Sequence, residues 1–434
     1  MPFLTRAGLA ASIACAGCFF SPNLDGKVRC TPGSGCPPDL VCANDGFCRH
    51  ASVAPDAAAD GPAGDGSTCM DTFRTALPPN VFPRGLALDA GGLVYVVGRE
   101  VDKAWVNTFE TCLGQAGPNP AAGTSPGIIS ELAAVTLFAD GVFVAGNLKP
   151  VMGDGPASDP GSGLYGRLTR VNLVTQFSQM LFGSTGVDEI SAIASGASDL
   201  WMAGVANGQI WVVKGAQGGN ACGSGVGSTS GGAGRAVVKS GADMYIGGTR
   251  DGQGILLRYP DSSCASSPPC GMCAPASMSP PIAEGTQFSE IRSLLVLGGQ
   301  LYAAGLAANM ATPADWFGFV VALDGAGTVS ARYRWNPTAQ RDLFLAIATD
   351  GQQIYAAGLQ GWNGDSAGTG AIASLIALPL SLAVTGNPRA QTATDLATFW
   401  SIAADPGPGG GLYAAASWGV PEMGGYLVKL RKNP

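Results

Sequence analysis

Three glutamates occupy one place in a repeating unit. Glu131, Glu189 and Glu290 each lie 15 residues before a unit-ending glycine (Gly146, Gly204, Gly305), and Asp342 lies 16 before Gly358. Carboxylates that return at one position of a repeat should gather at one mouth of the axis the repeats surround. A ring of acids there could bind a cation or a cationic ligand. The plainer use of such groups is to accept backbone hydrogen bonds, each in its own loop. Other chemistries are thinly supplied. The chain contains one histidine, His50, which excludes His-rich metal sites and makes a Ser/His/Asp or Cys/His catalytic set almost impossible to build. Asp154, Asp159, Asp365 and the Gly-rich stretch from Gly215 to Gly234 read as loop composition, without phosphate-loop or calcium-loop spacing. No cofactor and no metal are expected.

The elements that must position these acids come from a five-residue phrase, aliphatic-aromatic-x-small-Gly. It occurs as Val94–Gly98, Val142–Gly146, Leu200–Gly204, Met244–Gly248, Leu301–Gly305 and Ile354–Gly358, and once more as Leu412–Ala416, with Ala in place of Gly. Successive copies end 48, 58, 44, 57, 53 and 58 residues apart, the range of a four-stranded propeller blade with variable loops. Before each phrase runs a second apolar segment and a turn, such as Leu345–Ala348 ahead of Asp350-Gly351, which is a hairpin signal. After it come a variable loop and further strand patterns, as in Phe317–Leu323, a turn at Asp324–Gly327, and Thr328–Trp335.

The period excludes a parallel β-helix, whose coils are roughly 20 residues long, and a row of sandwich domains of about 100 residues each. The fold class expected is all-β, a seven-bladed β-propeller over residues 69–434. The segment from Thr72 to Leu77 should supply the missing outer strand of the last unit and close the ring. Trp105, Trp201, Trp211, Trp316, Trp335 and Trp400 fall on strands and read as core, whereas Trp362 and Trp418, in Gly-rich loops, are candidates for exposure.

These phrases resemble the bacterial β-propeller repeats called SBBP, whose units read approximately as "fVakLd..G...w", a "Gg...De" loop and an "aIa.d..GnvYvtG" hairpin. The run from Leu181 to Glu189 leading to Gly204 follows that order, and Phe319 to Asp324 matches its first part. Arg235 and Pro83-Arg84 replace the acidic position, and the fourth unit carries a Cys/Pro-rich insertion. The resemblance implies a propeller fold and export, and no activity.

The N-terminal residues carry an address. Met1 to Arg6 holds one positive charge, Ala7 to Ala16 is small and apolar, and Ala16-Gly17 precedes Cys18, a layout that fits a signal peptide over residues 1–18. Its end resembles a bacterial lipobox, with Cys18 as the lipidated residue and Cys15 as the alternative. Phe19 after the cysteine, by resemblance to Gram-negative lipoproteins, points to the outer membrane or cell surface. Residues 19–50 form a Cys-rich module in which Cys30, Cys36, Cys42 and Cys48 are evenly spaced, and export favours disulfides over zinc. Cys30 with Cys42 and Cys36 with Cys48 is one of three possible pairings. Cys69, Cys112, Cys222, Cys264, Cys270 and Cys273 complete an even set of ten, and the CxxC at Cys270 and Cys273 reads as structural. Residues 51–68, rich in Ala, Asp, Pro and Gly, form a linker.

The chain has 434 residues, is 13% charged and carries a net charge of −7, so a nucleic-acid partner is not expected. The expected function is that of a cell-surface lipoprotein, monomeric, held at the membrane by its lipid anchor. Its propeller would bind or scaffold an unknown protein or glycan ligand and would not be an enzyme. The alternative is a secreted carboxylate-dependent enzyme acting on polysaccharide, a glycosidase or lyase.

Overall fold

The computed structural model describes residues 40–42, 48–50 and 73–432, except 102, 111–127, 139–140, 151–161, 169–174, 177–186, 216–220, 227–230, 264–273, 310–315, 364–369, 385–387, 389, 394–395, 406–409, 419–423 and 431. The chain divides into two compact units, Met1–Thr68 and Cys69–Pro434. In the first, Leu40–Cys42 and Cys48–His50 form an antiparallel hairpin whose register sets Cys42 opposite Cys48. Cys15, Cys18, Cys30, Cys36, Cys69, Cys112, Cys264, Cys270 and Cys273 lie outside the described residues, and Cys222 is described only as part of the strand Ala221–Val226.

The second unit is an all-β propeller. Among the described residues it holds six four-stranded antiparallel sheets and one three-stranded sheet. Seven four-stranded blades were expected. The described residues complete six, because the first unit ends with its third strand, Lys103–Phe109, and residues 111–127 follow. Ring closure takes the expected form: Phe73–Ala76 pairs antiparallel with Gly424–Leu430, adding the outer strand of the last sheet. The Gly-rich stretch read as loop contains a strand, Ala221–Val226, and the start of another, Gly232–Ser240; cross-strand pairing with Gln209–Gly215 and Asp243–Arg250 overrides the weak strand propensity of glycine.

The repeated phrase forms the second strand of each sheet, and its side chains alternate into the two spaces that flank that sheet. Tyr355, Ala357 and Leu375 pack against Phe399, Leu412 and Ala414 of the following sheet. Tyr413, Ala415 and Leu427 of the last sheet pack against Val81, Val94 and Trp105 of the first, so the same type of contact closes the ring. Each aromatic of the phrase fills an inter-sheet space while the small residues beside it let the sheets approach. In two units the turn and the phrase are tied together. The Asp350 carboxylate accepts from Gln352 and Gln353 N–H at 2.9 and 3.0 Å, and from the Tyr355 hydroxyl at 2.9 Å. Asp89 accepts likewise from Leu93 N–H and the Tyr95 hydroxyl.

The final glycine of the phrase has a separate cause. Every innermost strand carries a β-bulge opposite this position, as between Leu132 and Ala134, or Ile291 and Ser293. The bulge thrusts a carbonyl of the innermost strand at its partner. A Cβ at Gly146 would lie 1.9 Å from the Glu131 carbonyl oxygen, and one at Gly305 would lie 1.9 Å from that of Glu290. The acid and the unit-ending glycine are therefore two sides of one local structure.

Candidate functional site: the channel mouth

A bulge re-aims one side chain, because two residues on the bulged strand face one on its partner. Seven bulges around a ring aim seven side chains at the axis. They are Arg84 and Ala133 on Val81–Leu88 and Ile128–Phe138; Ser191, Arg235 and Arg292 on the next three innermost strands; and Leu345 and Trp400 on the last two. All seven line a cavity of about 290 Å³ that also includes Glu131, Asn147 and Glu189. They equally line a second cavity of about 310 Å³, whose other walls are residues one or two positions further along the same strands. The seven bulge residues thus form a ring shared by two adjoining chambers of the central channel, an outer and an inner one.

The expected acids divide beside this ring. Glu131 and Glu189 line the outer chamber. Glu290 is buried beside it, its side chain 5% exposed. None stands as an isolated carboxylate. Arg84 Nε donates to Glu131 Oε1. Arg235 donates from Nη1 to Glu189 Oε1 at 2.7 Å and from Nε to Glu290 Oε1 at 2.8 Å, and Arg292 Nη2 approaches Glu290 Oε2 at 3.1 Å. The Ser191 hydroxyl donates to Glu189 Oε1 at 2.6 Å. The result is a ladder, Glu189–Arg235–Glu290–Arg292, running across three neighbouring units. Burial is the largest influence on Arg235 and lowers its pKa, but Glu189 and Glu290 together outweigh it and hold the guanidinium above its usual value. On Arg292 burial again leads, and with repulsion from Arg235 it prevails over Glu290, so the pKa falls. Both remain cationic in water at any ordinary pH.

Asp342 is a correction: it does not join the other three. It is fully buried and accepts from Thr338 N–H at 3.0 Å, Thr338 Oγ1 at 2.9 Å and Gly361 N–H at 2.9 Å. The physical reason is register. A bulge between Arg341 and Leu343 displaces Asp342, and the residue whose carbonyl oxygen faces Gly358, as those of the glutamates face their glycines, is Leu343. One step along a strand sends a side chain to the opposite face. Burial, the largest influence on Asp342, raises its pKa in spite of these hydrogen bonds.

The arginines at the mouth were missed as site residues, since Arg84 and Arg235 had been read as replacements at the acidic position. They stand instead at the bulge position, 13 or 14 residues before the unit-ending glycine, as Arg292 does. Counting back from each glycine to this position would have found them. Trp400 is also a correction, because it lines the channel rather than the core. Its ring lies 4.3 Å below the Arg84 guanidinium, and its Nε1 donates to Ser417 Oγ at 2.9 Å. Trp105, Trp201 and Trp335 are core, and Trp211 and Trp316 are partly buried. Trp362 is partly buried too, and with Trp316 it sandwiches Arg341 at 4.9 and 4.5 Å. The Trp418 side chain lies outside the described residues. Among the described residues no group of three His, Cys, Asp or Glu is placed to hold a metal ion.

Neither a family model nor a curated protein matches this chain, so the resemblance to SBBP repeats rests on the sequence phrases alone. Solved structures do match. Selenomethionine-substituted virginiamycin B lyase from Staphylococcus aureus is similar at TM-score 0.50 and 10% identity, over 83% of this chain and 99% of that one. YCF48 bound to D1 peptide is similar at TM-score 0.47 and 12% identity, over 86% of this chain and 97% of that one. The WD40 domain of coronin from Toxoplasma gondii is similar at TM-score 0.46 and 9% identity, over 83% and 87%. At such identities the likeness extends to architecture and no further: residues 69–434 form a β-propeller.

Proposed function

We propose that this protein is an exported, lipid-anchored β-propeller that binds or scaffolds rather than catalyses. The reading includes a seventh blade completing the first unit, a disulfide module at residues 19–50, a linker at 51–68, and anchoring through Cys18 at the outer membrane or cell surface. The observation that carries the binding reading is that Glu189 and Glu290 bond to opposite sides of one guanidinium, Arg235. A carboxylate-dependent glycosidase needs two carboxyls facing each other across a gap of roughly 5 to 10 Å, with one able to pass a proton to substrate. Here a cation fills the space between the two acids, and Glu131 is bonded to Arg84. A rigid ring of sheets with loops of varied length suits recognition.

Two experiments test it. The full chain is screened against glycans and cell-envelope fractions, with turnover assayed in parallel. Retention on one of these ligands without turnover supports the reading, and turnover lost on replacing Glu131, Glu189 or Glu290 singly would establish the enzyme instead. In a Gram-negative host, Cys18→Ser should release the protein from membranes. Unchanged fractionation in Cys18→Ser, with release in Cys15→Ser, would move the anchor to Cys15.

A further inference from the structure

Among the described residues, guanidiniums and carboxylates at the mouth are equal in number, three of each, but they are not evenly distributed. Between Arg292 and Arg84 runs an arc, past Leu345 and Trp400, whose two units carry no carboxylate at the acid position among the described residues: the sixth has Leu343 there, with Asp342 buried in its own loop, and the seventh has Thr398. Within this arc Arg292 is 34% exposed, while its partner Glu290 is 5% exposed. Glu290 engages one edge of the Arg292 guanidinium, through Nη2, and a guanidinium carries five N–H donors in a planar fork. Beside it the cavity wall is Leu345 and then Trp400, an apolar pair set between two cations.

We infer that the outer chamber binds a small organic carboxylate carried on an apolar or aromatic body, its acid group on Arg292 and its body against Leu345 and Trp400. The inference rests on the binding reading above and names the ligand class for that site. A carboxylate matches the guanidinium fork in a bidentate manner, and an apolar body covers the Leu345–Trp400 wall that water solvates poorly. A chamber of about 290 Å³ lies at the small end of ligand pockets, which limits the guest to a small molecule. Burial and the neighbouring Arg235 both disfavour the charge on Arg292, and an arriving anion offsets both. A cationic ligand, which a bare ring of acids could bind, is disfavoured here, since each acid at the mouth already has an arginine partner.

The test is calorimetric titration of the full chain carrying Cys18→Ser with three probes: phenylacetate, its neutral isostere phenylacetamide, and acetate, which lacks the body. Phenylacetate should bind at least about tenfold more tightly than either of the others, the scale of one charge-assisted contact. Arg292→Gln should abolish that preference, and Arg332→Gln, a half-exposed arginine bound to Glu284 outside the channel lining, should retain it. Equal binding of phenylacetate and phenylacetamide, no phenylacetate binding up to about 10 mM, or a preference that survives Arg292→Gln would overturn the inference. Should Arg292→Gln fail to fold, the ratio of phenylacetate to phenylacetamide on the unsubstituted channel decides by itself. A glycan bound with no preference among the three probes overturns this ligand class and leaves the binding reading intact. Turnover dependent on the glutamates overturns the binding reading instead.

Discussion

The fifth and sixth units carry an acid at almost the same place and use it in opposite ways. Glu290 reaches the channel side of its strand and holds Arg235 and Arg292, whereas Asp342, one residue out of step, turns to Thr338 and Gly361. The difference is one residue of register and one methylene of reach. A strand alternates faces with a period of two, so a shift of one exchanges channel for interior. The comparison teaches that a repeat positions a carbonyl and a bulge in every unit, while the chemistry at the mouth depends on which residue falls on the bulge and which on the position before it.

The bulge is the strongest point at which to break the comparison. Gly204→Ala would place a Cβ 1.8 Å from the Glu189 carbonyl oxygen, so strand or bulge must move. A loss of about 3 kcal/mol is expected by urea unfolding, toward the upper end for an overpacked site. The last unit carries Ala416 at this position, opposite Phe399 and a bulge of the same register, so its innermost strand accommodates a Cβ that the others would meet at 2.1 Å or less. A loss below about 0.5 kcal/mol, the scale of an ordinary surface substitution, would show that the bulge is soft and that the glycine does not enforce it.

Next in size is the ladder itself. Glu290→Gln leaves two guanidiniums facing a neutral group, and a loss of about 2–3 kcal/mol is expected in the same unfolding assay, less than for a fully buried broken pair because Arg235 and Arg292 are partly solvated. A double-mutant cycle with Arg235→Gln should return a coupling of at least about 0.5 kcal/mol. Additivity in that cycle would show that the pair contributes nothing beyond packing.

Asp342→Asn removes a buried acceptor that serves three donors and should cost about 1–2 kcal/mol on the acid side, below the unfolded carboxylate value of about 3.9, and less toward neutral pH. The pH dependence then separates it from Asp350. Asp342 has a raised pKa, so its contribution is full below the unfolded carboxylate value and is lost as pH rises through the folded one. Burial also leads the influences on Asp350, but hydrogen bonds from Gln352, Gln353 and Tyr355 outweigh it and lower the pKa. Its contribution is therefore present above the unfolded value and lost as pH falls through the folded one. Thermal unfolding of Asp342→Asn and Asp350→Asn between about pH 2 and 7, the span that brackets ordinary carboxylate titration, should show deficits that change with pH in opposite directions. Parallel curves would contradict the two environments.

The smallest effect is expected at Trp400→Phe, which keeps most of the ring and loses the Nε1 hydrogen bond to Ser417 and part of the attraction to Arg84. A loss of about 0.5–1 kcal/mol should appear in unfolding. A loss above about 3 kcal/mol, the range of large-to-small core substitutions, would mean that Trp400 acts as core after all.

Much of this was legible in advance. The phrase from Val94 to Gly98 and its copies announced the second strands, their spacing announced a propeller, and Phe73–Ala76 covers the outer edge of Gly424–Leu430 as expected. The strand Ala221–Val226 was not legible, since ACGSGV has little strand propensity and pairs only because Gln209–Gly215 lies beside it. The arginine partners were hidden for a related reason. Arg84 and Glu131 are 47 residues apart, and Arg235 and Glu290 are 55 apart, so local reading had no means to join them.

The amino-acid order determined the repeat, the strand class and the place of the acids relative to each glycine, because these depend on periodicity, turn residues and steric fit within one hairpin. Tertiary structure alone decided that Glu131, Glu189 and Glu290 hold arginines, that Asp342 turns inward, and that Trp400 lines a channel. Those outcomes depend on which bulge residues meet across the ring axis, and the axis exists only once the sheets have closed around it.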